Sequence, residues 1–507
     1  MASPYLIEPS QTYRAGNGKQ HRGLRHLGFP IRCRLLASAI LTALPALSFA
    51  QTTTTTTPAG VPGQAIPGTQ GNSSFASSVP AKPIPGVIPI SLQDAIDRGL
   101  RQNLGLLLSS IDVGAARGQR WQQLSTLLPH ASFSSYVDAS KINFGEIGLN
   151  FTIPGVNLPS AATFSYFDAR AGVTQTLFDW KAINAARAAS QSLKSAEYTY
   201  KDARDLVVLA VGYTYLQAIA DEARIATAQA QVRTAQALYD QASDQVKAGT
   251  SPEIDALRAK VELQTRQQQL IQARNNLSIQ KLTVARVIGF APGQEFDLTD
   301  KSPYQRFEDV GVEEALKRAY ASRSDYQSAM KDVRAAELSR EAARAGYLPS
   351  LSFSADYGTG GAHPSNATSV YDVRGTLSIP IFTGGSVHGD VLQADARLQQ
   401  SRERLDSLHA QIDADVRTAL FNLQSSAEQV RVALSNIDLA EQTLTQSRDR
   451  FTAGVTDTVE VVQSQELVAS AHEQYISSLY NYNYAKITLA RAMGMAEGTV
   501  KEYFRGN

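Results

Sequence analysis

The sequence contains an internal duplication, which constrains the fold more than any other feature. An Ala-Gly pair at residues 248–249 lies in a polar break between two long helical patterns, and a second pair lies at 453–454. From these breaks the two copies align without a gap to Ala-Arg-Val-Ile-Gly at 285–289 and Ala-Arg-Ala-Met-Gly at 490–494. Each unit has about 200 residues, whereas solenoid repeats have 20–50. The chain is therefore predicted to be a tandem duplication of one large unit.

The N-terminal residues have the features of an export signal. Four arginines between positions 22 and 34 precede an apolar run at 35–47, and Ser-Phe-Ala follows, ending at Ala50. This pattern predicts a signal peptide at residues 1–50, and the alternative, a short membrane anchor, requires a longer apolar run. The only cysteine, Cys33, would be removed with the signal. The exported chain would then have no thiol for a disulfide, a metal site or a lipid.

The residues after the signal are rich in Thr, Pro, Gly and Ser as far as about residue 90. Such a composition buries little apolar surface, so residues 51–90 are predicted to be a disordered tether. Removing residues 1–50 leaves 48 − 6 = 42 basic and 47 − 1 = 46 acidic residues, a balance of −4. This balance gives no basic footprint for nucleic acid.

Each unit is predicted to contain two helices, two strands and a long helical hairpin. The second helix of each unit ends where Pro129 or Pro349 forbids its continuation. Apolar and polar residues then alternate, which predicts strands at about 131–139 and 163–178, and at about 350–357 and 370–382. The first unit is predicted at 91–300, the second at 301–497, and a C-terminal tail at 498–507.

The strands have one apolar, aromatic face and one polar face, which fits two kinds of sheet. A soluble sandwich shows this alternation, and so does a transmembrane barrel with apolar residues outside. The chain has no evident partner sheet for a sandwich. Four strands cannot close a barrel around water, so several chains would have to contribute, and a trimer would supply twelve strands.

The helices after each strand pair are unusually long. Residues 185–247 and 390–452 have no proline and little glycine, and returning helices are predicted at 254–288 and 459–493. These are antiparallel hairpins of coiled-coil length. The sequence shows no phosphate-binding loop, no nucleophile elbow and no paired metal-binding histidines, so neither an enzyme nor a cofactor is predicted.

This ordered pattern resembles the TolC-like outer-membrane efflux protein family over residues 91–495. The resemblance implies a mainly α-helical protein with a membrane β-barrel: a homotrimer whose twelve-stranded barrel, in outer-membrane lipid, continues into a twelve-helix periplasmic tunnel. It also implies a Gram-negative-type outer membrane, and a passive duct for tripartite efflux or type I secretion. The partners would be a periplasmic adaptor protein and an inner-membrane transporter. The alternative function is a secreted coiled-coil interaction or adhesin protein without a pore.

The resemblance also assigns roles to the two hairpin tips, where the family contacts its adaptor. The corresponding positions are Ala248, Gly249, Thr250, Ala453, Gly454 and Val455. The alternative is that the two glycines only allow the chain to turn between the helices, since glycine adopts positive φ freely.

The resemblance also implies a gate beside the second tip. In the family an acidic residue six positions after the glycine constricts the closed pore, and this position is Glu460 here, with Asp255 its equivalent in the first unit. Asp457 adds a nearby acid, and Phe451 stands where the family has tyrosine. Like carboxylates around a narrow ring attract cations, so this gate would favour cation entry. The alternative is an ordinary exposed helix acid.

Two charged pairs occupy the polar face of the predicted strands: Asp168 with Arg170, and Asp372 with Arg374. In a barrel they would form a charged girdle facing the lumen. Ordinary salt bridges on a strand are an equal alternative.

Overall fold

The computed structural model describes residues 73–83, 85–146, 148, 161–300 and 310–498. The predicted signal peptide, residues 51–72 of the predicted tether and residues 499–507 of the predicted tail lie outside these ranges.

The described chain is mostly helical. The helices are α1 (Leu92–Gln102), α2 (Leu104–Ser125), α3 (Trp180–Lys247), α4 (Glu253–Ile288), α5 (Val312–Ser322), α6 (Ser324–Arg344), α7 (Ser386–Thr452) and α8 (Thr458–Ala492). The strands are β1 (Ile88–Ile90), β2 (His130–Asn143), β3 (Ala161–Phe178), β4 (Phe296–Leu298), β5 (Ser350–Gly361) and β6 (Thr368–Ser378).

The duplication is visible as two copies of helix, helix, strand pair and helical hairpin. The order α1–α2–β2–β3–α3–α4 is followed by α5–α6–β5–β6–α7–α8. The first arms of the hairpins, α3 and α7, have 68 and 67 residues. At 1.5 Å per residue each is about 100 Å long. Among the described residues, no helix contains an apolar stretch long enough to cross a membrane.

The four long strands form one antiparallel sheet in the order β2-β3-β5-β6. The register puts Phe133 opposite Ala171, which in turn lies opposite Tyr357. Because direct partners share a face, the odd-numbered residues of these strands form a single face, except at the end of β3, where the register shifts between Thr176 and Phe178. Its exposed apolar members are Phe133, Val137, Val173, Tyr357, Tyr371, Val373 and Leu377.

All four long strands differ from their predicted bounds, by up to four residues, and β5 continues to Gly361, beyond the predicted end at 357. The strand β2 continues to Asn143, beyond the predicted end at 139, because its partner β3 is equally extended. The strand β6 ends at Ser378, four residues before the predicted end at 382. Pro380 follows two residues later and has no N–H to donate to the sheet, which accounts for the earlier end.

The predicted tether is wrong for residues 73–83 and 85–90, which pack against the folded protein. Phe75 is only 6% exposed, and its ring lies against Gly105, where a Cβ would be 2.5 Å from the ring. The backbone N–H of Val79 donates to the carbonyl of Gln102 at 2.8 Å. The strand β1 pairs in parallel with β4. Composition did not predict this packing because a few apolar residues, such as Phe75, are buried within an otherwise polar segment.

Two apolar cores surround the middle of the long helices. The first joins α1 to α3, the end of α4 and the β1–β4 pair, with Tyr215 fully buried. The second joins α5 to α7 and the end of α8, with Tyr482 and Leu489 buried. Ile487 of α8 belongs to the first core, so the two repeats share one packed collar.

Candidate functional site: the hairpin tips and the polar face of the sheet

Both hairpin tips close with the same backbone motif. In the first, the N–H of Thr250 donates to the carbonyl of Gln245 at 2.9 Å, and the N–H of Gly249 donates to Val246 at 3.0 Å. The second repeats this pattern with Val455, Gly454 and their equivalents on α7. This Schellman arrangement satisfies the last carbonyls of a helix and needs a left-handed residue. Gly249 and Gly454 supply it, with φ of 72° and 70°.

The space beside the two tip glycines is open. No heavy atom lies within 4 Å of the position that a Cβ would take at Gly249 or Gly454. The flanking residues Ala248, Thr250, Ala453 and Val455 are all exposed. Both tips therefore present backbone and short side chains on the surface of the chain.

A small apolar core joins the two hairpins just above the tips. It contains Leu238, Ala242, Ala259, Phe451 and Val461, which come from α3, α4, α7 and α8. Phe451 is 5% exposed and sits inside this cluster. Its ring therefore packs inside the tip. A gate residue would line an open surface of the chain, and Phe451 does not.

Glu460 is held by two side chains of its own hairpin. One carboxylate oxygen accepts a hydrogen bond from Thr456 Oγ1 at 2.5 Å, and the other lies 3.3 Å from Arg450 Nε. Arg450 and Glu460 remain partly exposed. Arg450 was not among the predicted site residues because its partner lies across the turn. The only available signal was its place at the end of α7, opposite the first turn of α8.

The two other acids near the tips have local structural roles. Asp457 is the N-cap of α8, and its carboxylate accepts a hydrogen bond from the N–H of Val459 at 3.1 Å. Asp255, in the first turn of α4, is 7% exposed and lies 3.6 Å from Arg258. Asp255 and Glu460 are equivalent in sequence, yet only Glu460 has an exposed carboxylate. The tips are therefore unequal.

The predicted charged pairs of the sheet both form on its even-numbered face. Arg170 Nε lies 2.7 Å from Asp168, which is 2% exposed and also accepts a hydrogen bond from Tyr166 Oη at 2.8 Å. Arg374 lies 3.2 Å from Asp372.

The two pairs are joined by Asp356, which sequence reasoning did not single out. Its carboxylate lies 3.6 Å from the Arg170 guanidinium and accepts a hydrogen bond from the N–H of Asp372 at 3.1 Å. The signal for Asp356 was its even position in the alternation of β5. Only the register showed that it faces Gly172 and Asp372.

Ion pairs connect the hairpins along the shaft. Arg266, only 2% exposed, pairs with Glu262 of its own helix and with Glu466 of α8, each at 2.6 Å. Arg224 of α3 reaches Glu473, one heptad further along α8, at 2.8 Å. These contacts fix α8 against both arms of the first hairpin.

A buried charge cluster joins the two repeats at the collar. Arg491 of α8 is paired with Asp202 of α3 and lies 4.0 Å from Asp325 of α6. Arg323 holds Asp325 at 2.7 Å and Asp415 of α7 at 3.0 Å. Burial raises the pKa of Asp202 to about 6, although the Arg491 guanidinium opposes the shift. The described residues contain no group of three or more His, Cys, Asp or Glu side chains placed to hold a metal.

Comparison with known proteins identifies the family. The profile of the outer membrane efflux protein family matches residues 95–290 and 315–495. The chain is 25% identical to the alkaline protease secretion protein AprF of Pseudomonas aeruginosa over 61% of its length, and the match spans 65% of AprF, just under two thirds. It is 22% identical to the pyoverdine export outer membrane protein OpmQ of Pseudomonas putida, covering 93% of this chain and 97% of OpmQ. The outer membrane protein VceC of Vibrio cholerae has the same fold, with a TM-score of 0.69 at 17% identity over 80% of this chain and 96% of VceC. The chain therefore belongs to the outer membrane efflux protein family and is a protein of the outer membrane.

Proposed function

We propose that three copies of this chain form a ring that encloses an export duct. Each copy would contact the next through a different surface from the one by which it contacts the previous copy. The observation that carries the proposal is that the sheet and both helical layers of the protomer each end in two edges that have no neighbouring element in the described part of the chain. Among the residues that the structure describes, β2 and β6 each have no neighbouring strand on one side. Unpaired strand edges invite pairing with another chain, and closing a barrel removes them.

The helical layers have matching open edges. Below the sheet, α2 packs on α3, α3 on α6 and α6 on α7, so α2 and α7 are outermost. Towards the tips, α8 lies against α7, α3 and α4, which leaves α4 and α7 outermost. Both outer surfaces expose large apolar residues. On one side these are Leu108, Ile111 and Trp121 of α2 with Leu257, Val261, Ile271 and Leu282 of α4; on the other they are Leu392, Phe421, Leu434 and Leu439 of α7.

Different surfaces on opposite edges make a heterologous contact, which forms a ring when the rotation closes. Three copies would give a barrel of twelve strands, with four helices per copy, and hence twelve, at each level of the tunnel. The odd-numbered face of the sheet would contact outer-membrane lipid. The even-numbered face, with Asp168, Arg170, Asp372 and Arg374, would line the lumen.

The duct would be passive and would act with two partners. The exposed tips at Ala248–Thr250 and Ala453–Val455 would contact a periplasmic adaptor, and an inner-membrane transporter would supply the energy. The names of the relatives, a protease secretion protein and a pyoverdine export protein, support export as the activity. Family membership gives no support to a secreted adhesin without a pore.

Assembly is tested by purifying the protein from outer membranes and measuring its mass and conductance. We expect a trimer that dissociates only on heating and that forms channels in planar bilayers. A monomer without channel activity would contradict both the ring and the duct.

We propose that Glu460 forms the gate, with Asp457, Asp255 and Phe451 shaping the tips around it. Three partly exposed Glu460 carboxylates around a narrow ring would attract cations. Arg450 and Thr456 would hold each carboxylate in place at 3.3 and 2.5 Å.

Replacing Glu460 by glutamine is expected to reduce cation selectivity several-fold and to weaken block by multivalent cations, because the ring loses its charge. Reversal potentials under a salt gradient measure the first effect and current block measures the second. The control is Asp244→Asn, which removes an exposed acid near the first tip. Equal selectivity and block in Glu460→Gln and wild type would exclude Glu460 from the gate.

A further inference from the structure

The second hairpin contains two polar side chains that lack partners. Gln465 of α8 is only 6% exposed, and its Nε2 has no hydrogen-bond partner among the described residues. Arg448 of α7 is half-buried, and its guanidinium forms no ion pair or hydrogen bond with any residue that the structure describes. A buried polar group without a partner costs free energy, so each of the two groups requires an explanation.

Both side chains line one pocket. Their neighbours in sequence, Ser447 and Ser464, share a hydrogen bond of 2.7 Å between their hydroxyl groups. This contact puts the end of α7 beside the start of α8 at the same level. Arg448 and Gln465 then line a pocket of about 570 Å³, whose walls come mainly from α3, α7 and α8.

The other ionisable side chains that line the pocket have neighbours of their own. Arg266 is paired with a glutamate of its own helix and with one of α8. Glu441 lies 3.5 Å from Nε2 of His472. Within the described part of the chain, Arg448 is therefore the lining cation whose charge no partner balances. An anion in the pocket balances it.

The first hairpin does not contain this pair. At the offset of 205 residues between the repeats, Ser243 corresponds to Arg448, and the exposed Lys260 corresponds to Gln465. The first hairpin packs without an arginine and a buried glutamine at these positions. Packing alone therefore does not require the pair, and this difference favours a ligand over a structural role.

We propose that this pocket binds a small organic carboxylate. The planar guanidinium of Arg448 takes both carboxylate oxygens, the geometry in which arginine recognises this group best. Nε2 of Gln465 donates to one of these oxygens and so gains the partner that it lacks. Leu444 and Val468 line the same pocket and pack against the carbon skeleton of the ligand. The volume is in the range of pockets that hold small molecules.

The pocket suits an organic acid better than phosphate or sulfate. Sites for phosphate gather many N–H donors, often at a helix N-terminus, whereas the donors without partners here are one guanidinium and one amide. An inorganic anion also has no carbon surface to place against Leu444 and Val468. The ligand touches α3 of the first hairpin and α7 and α8 of the second, so its binding stabilises their contact. The proposal goes beyond the export duct and does not depend on the ring.

The test measures binding of para-fluorobenzoate to the purified protein in detergent by fluorine NMR. The comparison probes are para-fluorobenzamide, which has the same shape without the charge, and inorganic phosphate. The variants are Arg448→Gln and Gln465→Leu. The control is Lys260→Gln, which removes an exposed cation at the equivalent level of the first hairpin.

We expect saturable binding of para-fluorobenzoate that Arg448→Gln weakens about ten-fold or more, because a charge-assisted contact is lost. Lys260→Gln is expected to bind as wild type does. Gln465→Leu is expected to bind several-fold more weakly and yet to unfold at the same or a higher temperature, since leucine leaves no buried polar group without a partner.

Three results would overturn the site: no saturable binding of para-fluorobenzoate, equal binding of the acid and the amide, or equal affinity in Arg448→Gln and wild type. Binding of phosphate without binding of the acid would mean an inorganic anion site, which also overturns the carboxylate. A lower unfolding temperature in Gln465→Leu without ligand would mean that Gln465 stabilises the hairpin by itself and would remove it from the site.

Discussion

Replacing Gly494 by alanine is expected to destabilise the protein by about 2–5 kcal/mol. Two costs add: the strain of a residue with a Cβ in the left-handed conformation, and the overlap of that Cβ with neighbouring atoms. Gly494 has a φ of 71°, and a Cβ there would lie 2.6 Å from the backbone N of Arg323 and 2.8 Å from its Cα. Backbone atoms cannot move aside as a flexible side chain can. This glycine closes the second repeat against the start of α6, beside the Arg323 cluster.

The matched control is Gly454→Ala at the second tip. Its φ of 70° is nearly the same, but no atom lies within 4 Å of the added Cβ. Only the left-handed strain of about 1–2 kcal/mol should remain. Thermal unfolding and the yield of folded protein in outer membranes measure both variants. Equal losses in Gly494→Ala and Gly454→Ala would show that the contact with Arg323 contributes nothing.

The contrast also shows what the duplication predicted and what it could not. Gly289 and Gly494 were visible as the ends of the two copies, and Gly249 and Gly454 as their tips. The long helices began and ended close to their predicted positions, because proline, glycine and the 3.6-residue period are local signals. Which glycine is crowded depends on residues far away in sequence, such as Arg323, and no local pattern contains that information.

The candidate sites likewise contain some features that the local sequence predicts and others that it does not. Alternation was enough to put Asp168, Arg170, Asp372 and Arg374 on one face, because strand periodicity alone sets the face. It could not reveal Asp356 as their link, since that depends on the register between strands.

The tips and the N-terminal segment show the same limit. Glu460 was found by its distance from the tip glycine, whereas its partner Arg450 lies across the turn. Phe75 lies in a low-complexity segment whose composition predicted disorder. The packing of its ring beside Gly105 could not be read from that composition. Tertiary contacts decided each of these cases.

The collar cluster gives the protein a pH-dependent stability that Asp202→Asn should reduce. Burial raises the pKa of Asp202 from 3.8 to about 6, so the folded protein holds this proton more tightly than the unfolded chain does. Below about pH 4 both states are protonated and the group has no effect. Between about pH 4 and pH 6 only the unfolded chain ionises this group, so stability falls by about 3 kcal/mol in total, and the fall ends once the folded carboxyl is ionised as well.

The asparagine variant is neutral at every pH, so its stability should fall by about 3 kcal/mol less than that of wild type between pH 4 and 7. Burial raises the pKa of Asp205 as well, while Arg323 outweighs burial and lowers that of Asp325. Both groups are coupled to Asp202 by charge, so the difference between the two profiles measures Asp202 together with this coupling. Denaturant unfolding in detergent at a series of pH values gives the two profiles, with Asp244→Asn expected to follow wild type. Parallel profiles for Asp202→Asn and wild type would mean that Asp202 ionises equally easily in the folded and unfolded chains. The charge cluster would then join the two repeats with the same strength at every pH.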